Sequence, residues 1–176
     1  MQSEAYLKCI DPHCGLEYPI NSTNVECTKG HLLDVIYKNK PSNNLKEIFY
    51  QRRNPQGNIF NESGVWRFRE LLNFCQINTD NIEDCSKYLV SLDGAEGRQS
   101  KPYQMSKAAE FIGISSNRLW LQPEGYNPSG SFKDNGMASA VTHAKMVEAK
   151  KIVCASTGNT SASAGMFAAN EGIQCD

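Results

Sequence analysis

The sequence predicts an α/β fold in which a parallel sheet is covered by helices on both faces, preceded by a small ribbon-like β element. Three observations predict it: strand and helix patterns alternate after residue 102, those strands are continuously apolar, and residues 6–37 combine cysteines with turn formers. Alternating strands and helices build parallel sheets, and continuously apolar strands are typical of sheets buried on both sides. We therefore expect a ribbon-like element over residues 1–40 and an α/β region over residues 41–176.

The composition is that of an ordinary globular protein. The 176-residue chain has 40% hydrophobic and 21% charged residues and a net charge of -1, so it lacks the positive charge that attracts nucleic acid. No apolar run is long enough to cross a bilayer, and the N-terminus lacks the features of a secretory signal. Seven cysteines, an odd number, favour a reducing compartment over a disulfide framework. We expect a cytoplasmic protein without nucleic-acid or membrane partners.

The first half of the chain predicts short elements. Alternating residues within 6–37 predict small strands, and residues 42–53 predict a helix that begins after an Asn or Ser cap. Ser63 is a candidate cap for a second helix, which would carry Trp66, Leu71 and Leu72 on one side. Residues 89–92 predict a short strand within a polar stretch.

The second half predicts a regular succession of elements. These are a helix ended by Gly113, a strand, a loop, a helix, a strand and a helix, over residues 102–112, 118–122, 123–130, 131–147, 151–155 and 160–170 respectively. A further strand begins at the end of the chain, where its ladder partners would be missing. We therefore expect a truncated chain whose sheet is incomplete at the C-terminus.

Two loops follow the two apolar strands and lead into helices. The lysine loop (residues 123–131) precedes Lys133, and the STGNTS loop (residues 156–161) contains Asn159. In open α/β sheets ligands bind at the carboxyl ends of the strands, so these loops are expected to meet at one edge. Backbone N–H groups at helix starts and nearby hydroxyls suit an anionic ligand. Gly130 and Gly158 would let backbone approach a planar ring.

Lys133 has the setting of a reactive amine. In the first turn of a helix the positive end of the dipole disfavours an ammonium, and a neutral amine is the nucleophile that forms Schiff bases. A single lysine at such a place is usually a solvated surface residue, and a single Ser/Thr/Gly loop is usually a helix cap. The repetition at two successive strand ends favours the functional interpretation. Asp134 is expected to cap its helix or to serve the site, Phe132 to pack beneath the helix, and His143 to be structural.

Three long stretches of the second half and the region before it are SGVWRFRELL, GYNPSGSFKDNGMASAVTHA and KIVCASTGNTSASAGMFAANEG. They resemble the threonine synthase family, pyridoxal-phosphate enzymes of the tryptophan-synthase-β fold type (fold type II), and the resemblance covers most of residues 60–176. The resemblance implies a PLP aldimine on Lys133 and a hydrogen bond from Asn159 to the phenolic oxygen of the cofactor. It also implies that four hydroxyl residues surround the substrate carboxylate: Ser156, Thr157, Thr160 and Ser161.

The activity implied by this resemblance is a step of threonine biosynthesis. O-phospho-L-homoserine and water become L-threonine and phosphate, and the Lys133 amine moves protons at Cα and Cβ of the substrate. The sequence departs from the family at residues 96–103, where extra residues and Tyr103 stand in place of the usual EGxTPL-type segment. The family's phosphate-binding glycine loop and the hydroxyl that meets the pyridine nitrogen have no counterpart before Asp176, so the chain alone is expected to be inactive.

Other functions stay open at this point. Another fold-type-II enzyme, such as a threonine dehydratase, would use the same lysine. An inactive fragment or a metal-binding module is the alternative from a different class, and homo-oligomerisation is left open.

Four N-terminal side chains have the residue types of a zinc site. Cys9 and Cys14 form C-x4-C, and Cys27 and His31 form C-x3-H, which could supply tetrahedral ligands. This region resembles the zinc ribbon of two CxxC knuckles with which some threonine synthase relatives begin. Here the first knuckle is longer, and the second lacks its second cysteine. His13 is a further candidate ligand, and the alternative is a degenerate ribbon with free cysteines. The other cysteines are expected to serve packing: Cys75, Cys85, Cys154 and Cys175.

Overall fold

A computed structural model of the chain describes residues 5–38, 44–54, 57–72, 88–97 and 102–176. The departure predicted at residues 96–103 lies partly outside these ranges, as do Cys75 and Cys85. The structure confirms the prediction of a small β element. Strand β1 (Ala5–Cys9) lies between β2 (Glu17–Pro19) and β3 (Leu33–Tyr37) and pairs antiparallel with both. We call residues 5–38 the ribbon element.

The helix predicted over residues 42–53 is shorter than expected. Helix α1 (Leu45–Gln51) begins after Asn44, whose side chain makes no capping bond, and an unpredicted single turn, α2 (Ile59–Glu62), follows it. Ser63 does act as a cap, since its Oγ accepts hydrogen bonds from the N–H groups of Val65 at 3.1 Å and Trp66 at 3.0 Å. The helix that it starts is a 3₁₀ helix, Trp66–Leu71. Trp66 is buried and Leu72 packs against the same apolar cluster, as the sequence predicts, but Leu71 is exposed. In a 3₁₀ helix residues i and i+3 share a face, so Trp66 and Leu72 lie on one side and Leu71 does not.

The strand predicted at residues 89–92 does not form. Val90 is wholly buried, and its carbonyl accepts a hydrogen bond of 2.7 Å from the indole Nε1 of Trp66. Its N–H donates to the Thr142 hydroxyl at 2.9 Å. Side chains therefore make the hydrogen bonds to this backbone that a neighbouring strand would otherwise make. This segment belongs to the main buried apolar cluster, whose members are Val65, Trp66, Leu89, Val90, Ala138, Val141 and Phe167.

Residues 102–121 form a hairpin around a short helix. Strand β4 (Tyr103–Gln104) precedes α3 (Ser106–Phe111), so the predicted helix over 102–112 begins later than expected. Gly113 has a φ of +77° and ends α3, and the N–H of Ile114 bonds to the carbonyl of Ala109 at 3.0 Å. This Schellman-type end reverses the chain. Strand β5 (Trp120–Leu121) consequently pairs antiparallel with β4.

The C-terminal part is a parallel β-α-β unit preceded by a helix. Helix α4 (Lys133–Met146) packs against α5 (Asn159–Asn170), and β6 (Lys151–Ile152) pairs in parallel with β7 (Gln174–Cys175). The strand predicted at the end of the chain is thus confirmed. Strand β6 is shorter than the predicted 151–155, although the N–H of Cys154 still bonds to the Asp176 carbonyl at 2.9 Å.

The single parallel sheet that the sequence predicts is confirmed only in part. The described residues form three small sheets, and β5 pairs with β4 rather than with β6. The reversal at Gly113 places β5 beside β4, which accounts for this difference. The apolar side chains of these strands are not covered on both faces, since Trp120 is 55% exposed and Val153 is 75% exposed. Among the described residues, no helix combines the length and apolar character needed to cross a membrane.

Candidate active site and metal centre

Lys133 is the first residue of α4, as the sequence predicts to within two residues. Its backbone N–H donates to the Oγ of buried Ser131 at 3.1 Å, which fixes the start of the helix. Its Nζ lies 4.9 Å from the centre of the Phe132 ring. Phe132 is 57% exposed, so the expectation that it packs beneath the helix is wrong. The half-buried amine lies beside an exposed aromatic ring, an arrangement that permits a cation–π contact.

The lysine loop is a compact turn that borders open space. The N–H of Gly130 donates to the carbonyl of Asn127 at 2.7 Å, and Gly130 has a φ of +77°, a conformation that favours glycine. A Cβ added at Gly130 or at Gly158 would meet no atom within 4 Å. Both loops therefore have room at their backbones for a planar group, and the lysine amine and the helix start of α5 suit pyridoxal phosphate chemically.

Asp134 connects the lysine loop to α5. Its carboxylate is wholly buried, and Oδ2 accepts a hydrogen bond of 2.7 Å from the N–H of Ser129. The Oδ1 atom accepts from the Ser129 hydroxyl and, at 2.6 Å, from the hydroxyl of Ser163 in α5. Of the two roles considered for Asp134, capping its own helix is not the one observed, because all three donors lie outside α4.

Asn127 forms a second junction beneath the lysine loop. Its Nδ2 donates to Glu124 Oε2 at 2.9 Å and to the Ser131 carbonyl at 3.0 Å, while its Oδ1 accepts from the N–H of Gly97 at 3.0 Å. Asn135 Nδ2 also donates to Glu124 Oε2, at 3.0 Å. Burial disfavours the ionised Glu124, but hydrogen bonds from Gln122 and these two amides outweigh it and lower the pKa of Glu124. The segment around Gly97 is thereby joined to the loop before Lys133.

The STGNTS loop leads directly into α5. Ser156 Oγ accepts from the N–H of Gly158 at 3.3 Å, and the Ser161 hydroxyl donates to the Ser156 carbonyl. Within the described part of the chain, the side chains of Thr157, Asn159 and Thr160 make no hydrogen bond, and the first two are exposed. The first N–H groups of a helix have no partner within it, so this loop offers both amides and hydroxyls to an anionic ligand.

The structure brings the two loops together through their helices. Ser163 lies four residues after Asn159 on α5, and therefore on the same face one turn further along. Because Ser163 is hydrogen-bonded to the residue after Lys133, the starts of α4 and α5 lie close to each other. Among the described residues, no hydrogen bond joins the side chains of Lys133 and Asn159. The convergence predicted for these two residues is therefore supported at the level of the two helix starts.

The sequence analysis missed the roles of Asn127 and Glu124 and left that of Asp134 open. An Asn-Pro-Ser-Gly turn is itself a sequence signal, because asparagine side chains often bond to nearby backbone. The long-range partners of Asn127 and Asp134, Gly97 and Ser163, have no such signal. His143 is half-buried and its Nε2 lies 3.0 Å from the carbonyl of Ile20, so the expected structural role agrees with the contact.

The four predicted metal ligands form one cluster in the ribbon element. Cys9 Sγ lies 3.5 Å from His31 Nδ1, and Cys14 Sγ lies 3.9 Å from Cys27 Sγ. All four ligand atoms lie within 4.8 Å of one another. Two sulfur ligands of a tetrahedral zinc ion are about 3.8 Å apart, given Zn–S bonds of about 2.3 Å. The exposed His13, a further candidate, lies outside this cluster.

Local backbone geometry holds the cluster together. Cys9 is the last residue of β1, and the N–H of Cys27 donates to the carbonyl of His31 at 2.8 Å. The N–H of Gly30, at a φ of +80°, donates back to the Cys27 carbonyl at 2.8 Å, which closes a tight turn. Burial raises the pKa of the Cys9 thiol to about 11. Burial also opposes ionisation of Cys27, but backbone hydrogen bonds from His31 and Lys29 outweigh it and lower its pKa to about 7.

Comparisons with known proteins find matches over the part of the chain that contains Lys133. Residues 101–176 match the sequence profile of the family described as "Pyridoxal-phosphate dependent enzyme". Over 169 residues, 96% of this chain and 36% of the relative, the sequence is 32% identical to the threonine synthase of Methanocaldococcus jannaschii. It is 34% identical to the threonine synthase of Methanosarcina acetivorans over 169 residues, 96% of this chain and 35% of the relative.

A shorter stretch is more similar to bacterial relatives. Over 57 residues, 32% of this chain and 16% of the relative, it is 58% identical to the threonine synthase of Mycobacterium tuberculosis strain H37Rv. The chain spans about a third of the length of the two archaeal relatives. These matches confirm the resemblance to threonine synthases. The matched family is pyridoxal-phosphate dependent and implies fold type II, which is the coarser part of the predicted fold class.

Proposed function

We propose that this chain, which belongs over residues 101–176 to the pyridoxal-phosphate dependent enzyme family, carries the reactive lysine of a threonine synthase-like enzyme. The proposed reaction converts O-phospho-L-homoserine and water into L-threonine and phosphate. The observation that carries the proposal is the position of Lys133 at the start of α4, joined to the start of α5 by the Asp134–Ser163 hydrogen bond. Two helix starts then face one ligand, as in other open α/β sites.

The described residues divide the chemical work. Bound pyridoxal phosphate would supply an electron sink for the substrate carbanion. Lys133 Nζ would hold the cofactor covalently and, once displaced by substrate, would take protons from Cα and Cβ as phosphate leaves Cγ. Protons would then return to Cγ and Cα, and water would add its hydroxyl at Cβ. Asn159 would donate a hydrogen bond to the cofactor's phenolic oxygen. The hydroxyl residues would bind the substrate carboxylate together with the α5 amides, and they are Ser156, Thr157, Thr160 and Ser161.

The test is reductive trapping. The purified protein in its complete reading frame is incubated with pyridoxal phosphate, reduced with borohydride and mapped by peptide mass spectrometry. We expect label at Lys133, and its loss in Lys133→Arg but not in the matched control Lys107→Arg, an exposed lysine of α3. Label scattered over several lysines, or persisting in Lys133→Arg, would overturn the proposal. The same assay on residues 1–176 alone tests the expectation that this part is inactive by itself.

A substrate comparison separates the proposal from the other enzymes of the fold type. O-phospho-L-homoserine and L-threonine are offered to the same preparation, and phosphate and keto-acid release are measured. We expect phosphate release from O-phospho-L-homoserine and threonine formation. Keto-acid release from L-threonine alone would identify a dehydratase. Absence of both, together with absent label, would favour the non-catalytic module.

For the ribbon element we propose a structural zinc site formed by Cys9, Cys14, Cys27 and His31. The support is the mutual approach of the four ligand atoms to within 4.8 Å. Metal content of protein purified under reducing conditions without chelator is measured by mass spectrometry. We expect one zinc ion per chain, its loss in Cys27→Ser and its retention in the control Cys154→Ser. Zinc absent from the unmutated protein, or retained in Cys27→Ser, would contradict the site.

A further inference from the structure

A wholly buried and hydrogen-bonded carboxylate lies next to Lys133. Asp134 has no solvent exposure, and its two oxygens accept hydrogen bonds from three donors. Two donors belong to Ser129 of the lysine loop and the third belongs to Ser163 of α5. Burying a carboxylate is costly unless such partners satisfy it. The three hydrogen bonds therefore require that the Asp134 carboxylate, both groups of Ser129 and the Ser163 hydroxyl keep their positions.

We propose that Asp134 is a positioning residue that sets the distance between the Lys133 amine and the STGNTS loop. This inference rests on the proposed function of Lys133 and names how that site is held. Asp134 does not itself face the open side of the loops; it bridges the segment before Lys133 and the helix after Asn159. Removing the bridge would let the starts of α4 and α5 move relative to each other.

The geometry also explains why the residue following the lysine is short and carries an acceptor oxygen. The Ser129 N–H can only donate, so Oδ2 must be an acceptor. The two hydroxyls that donate to Oδ1 can rotate and accept instead. An asparagine with its oxygen at the Oδ2 position would therefore satisfy the Ser129 N–H and donate its amide to the hydroxyls. An alanine would satisfy none of the three groups and would leave the part-buried N–H of Ser129 without its acceptor.

The test uses the complete protein and four variants. They are Asp134→Ala, Asp134→Asn, Ser163→Ala and the control Thr142→Val. Thr142 is also wholly buried and lies further along α4. Its hydroxyl accepts a hydrogen bond of 2.9 Å from the N–H of Val90, a residue distant from Lys133 in the sequence. The control therefore removes a buried hydrogen bond from α4 without touching the bridge.

For Asp134→Ala we expect kcat to fall about 100-fold, the loss that follows a displacement on the order of 1 Å at a reacting group. KM for O-phospho-L-homoserine should change little, because the substrate carboxylate is bound by the STGNTS loop. Asp134→Asn should restore kcat to within about 10-fold of the unmutated enzyme, since it preserves the acceptor for Ser129. Ser163→Ala should lie between the two, and Thr142→Val should keep the original kcat.

A second readout needs neither cofactor nor activity. Amide hydrogen exchange of the cofactor-free protein reports directly on the N–H of Ser129. We expect this amide to exchange faster in Asp134→Ala and at the original rate in Asp134→Asn and Thr142→Val. Should Asp134→Ala fail to fold, Ser163→Ala is compared with Asp134→Asn for the same kcat and amide-exchange rates.

The outcomes separate the two proposals. If Lys133 of the unmutated protein takes no borohydride label, the proposed function fails, whatever the exchange data show. If Lys133 is labelled but Asp134→Ala keeps its kcat and its Ser129 protection, the bridge is overturned while the function stands. Equal losses of kcat in Asp134→Ala and Thr142→Val would also overturn the bridge, because they would reflect general destabilisation.

Discussion

The ribbon element and the α4–α5 helix pair fill their interiors with different chemistry. The helix pair buries Ala138, Val141, Ala164, Phe167 and Ala168, small and aromatic side chains that interdigitate. The ribbon element buries Ala5 and Ile20 together with two thiols, Cys9 and Cys27. Units of fewer than about 40 residues usually need a disulfide, a metal or oligomerisation to fold alone. The helix pair therefore rests on packing, whereas the proposed zinc site would stabilise the ribbon element.

Buried polar groups show the same contrast. In the helix pair, Asp134, Thr142 and Ser163 each bond to a partner of complementary character. In the ribbon element, four side chains of ligand type, two buried and two half-buried, have their ligand atoms within 4.8 Å of one another. Backbone N–H groups also reach them, as the Lys29 N–H donates to Cys27 Sγ at 3.4 Å. We therefore expect the two regions to respond differently to metal removal, to core truncation and to pH.

Removal of metal should have the largest effect, and it should be confined to the ribbon element. Structural zinc contributes on the order of 10 kcal/mol of apparent folding free energy in small zinc domains. On addition of a chelator we expect amide protection to be lost over residues 5–38 and kept over α4 and α5. Hydrogen exchange measured by mass spectrometry checks this. Unchanged protection of β1 and β3 would show that the ribbon element is held by its backbone ladder alone.

Truncation in the helix pair should have the next largest effect. Phe167 is wholly buried in the main cluster, so Phe167→Ala should lower the free energy of unfolding by about 3–5 kcal/mol. Denaturant titration measures the loss. The neighbouring Met166 is 40% exposed, and Met166→Ala serves as the control with an expected loss below about 1 kcal/mol. Similar losses for both variants would mean that α5 is not packed as described.

The contact between the two regions offers a smaller effect. His143 of α4 bonds to the carbonyl of Ile20 in the ribbon element at 3.0 Å. Loss of this bond in His143→Ala should cost about 1–2 kcal/mol and should speed amide exchange near Ile20. The exposed His13 supplies the control, His13→Ala, for which no change is expected. An unchanged exchange rate near Ile20 in His143→Ala would mean that other contacts join the two regions.

The smallest expected effect is a change in the free energy of unfolding at acidic pH. The folded pKa of Glu124 lies below its unfolded value, because hydrogen bonds to the carboxylate outweigh its burial. Its stabilisation is thus fully present above the unfolded pKa of about 4.3 and is lost as pH falls through the lower folded pKa. Glu124→Gln should remove less than about 1 kcal/mol of this acid dependence, as the group is partly exposed. Unfolding curves at neutral pH and at pH values below the unfolded pKa test this, and an unaltered slope would contradict it.

Local chemistry in the sequence was sufficient for many features of the molecule. Gly113 ends a helix, Ser63 caps one, and a lysine follows a tight loop at the start of α4 because each depends on neighbours within a few residues. The Cys/His set was also recognisable, since the chemistry of metal ligands is carried by residue type and spacing. Long matching stretches identified the enzyme family for the same reason.

Long-range pairing was decided only by the tertiary structure. The sequence alone predicts that residues 118–122 join a parallel sheet, because it shows apolar runs but not which edge they meet; the reversal at Gly113 pairs them with β4 instead. The partners of Asp134 and Val90 likewise lie 29 and 52 residues away. Contacts of that separation depend on how whole helices pack, and no local pattern encodes them. The position of Lys133 at a helix start is thus a property of the sequence, whereas the buried bonds of the neighbouring Asp134 are a property of the fold.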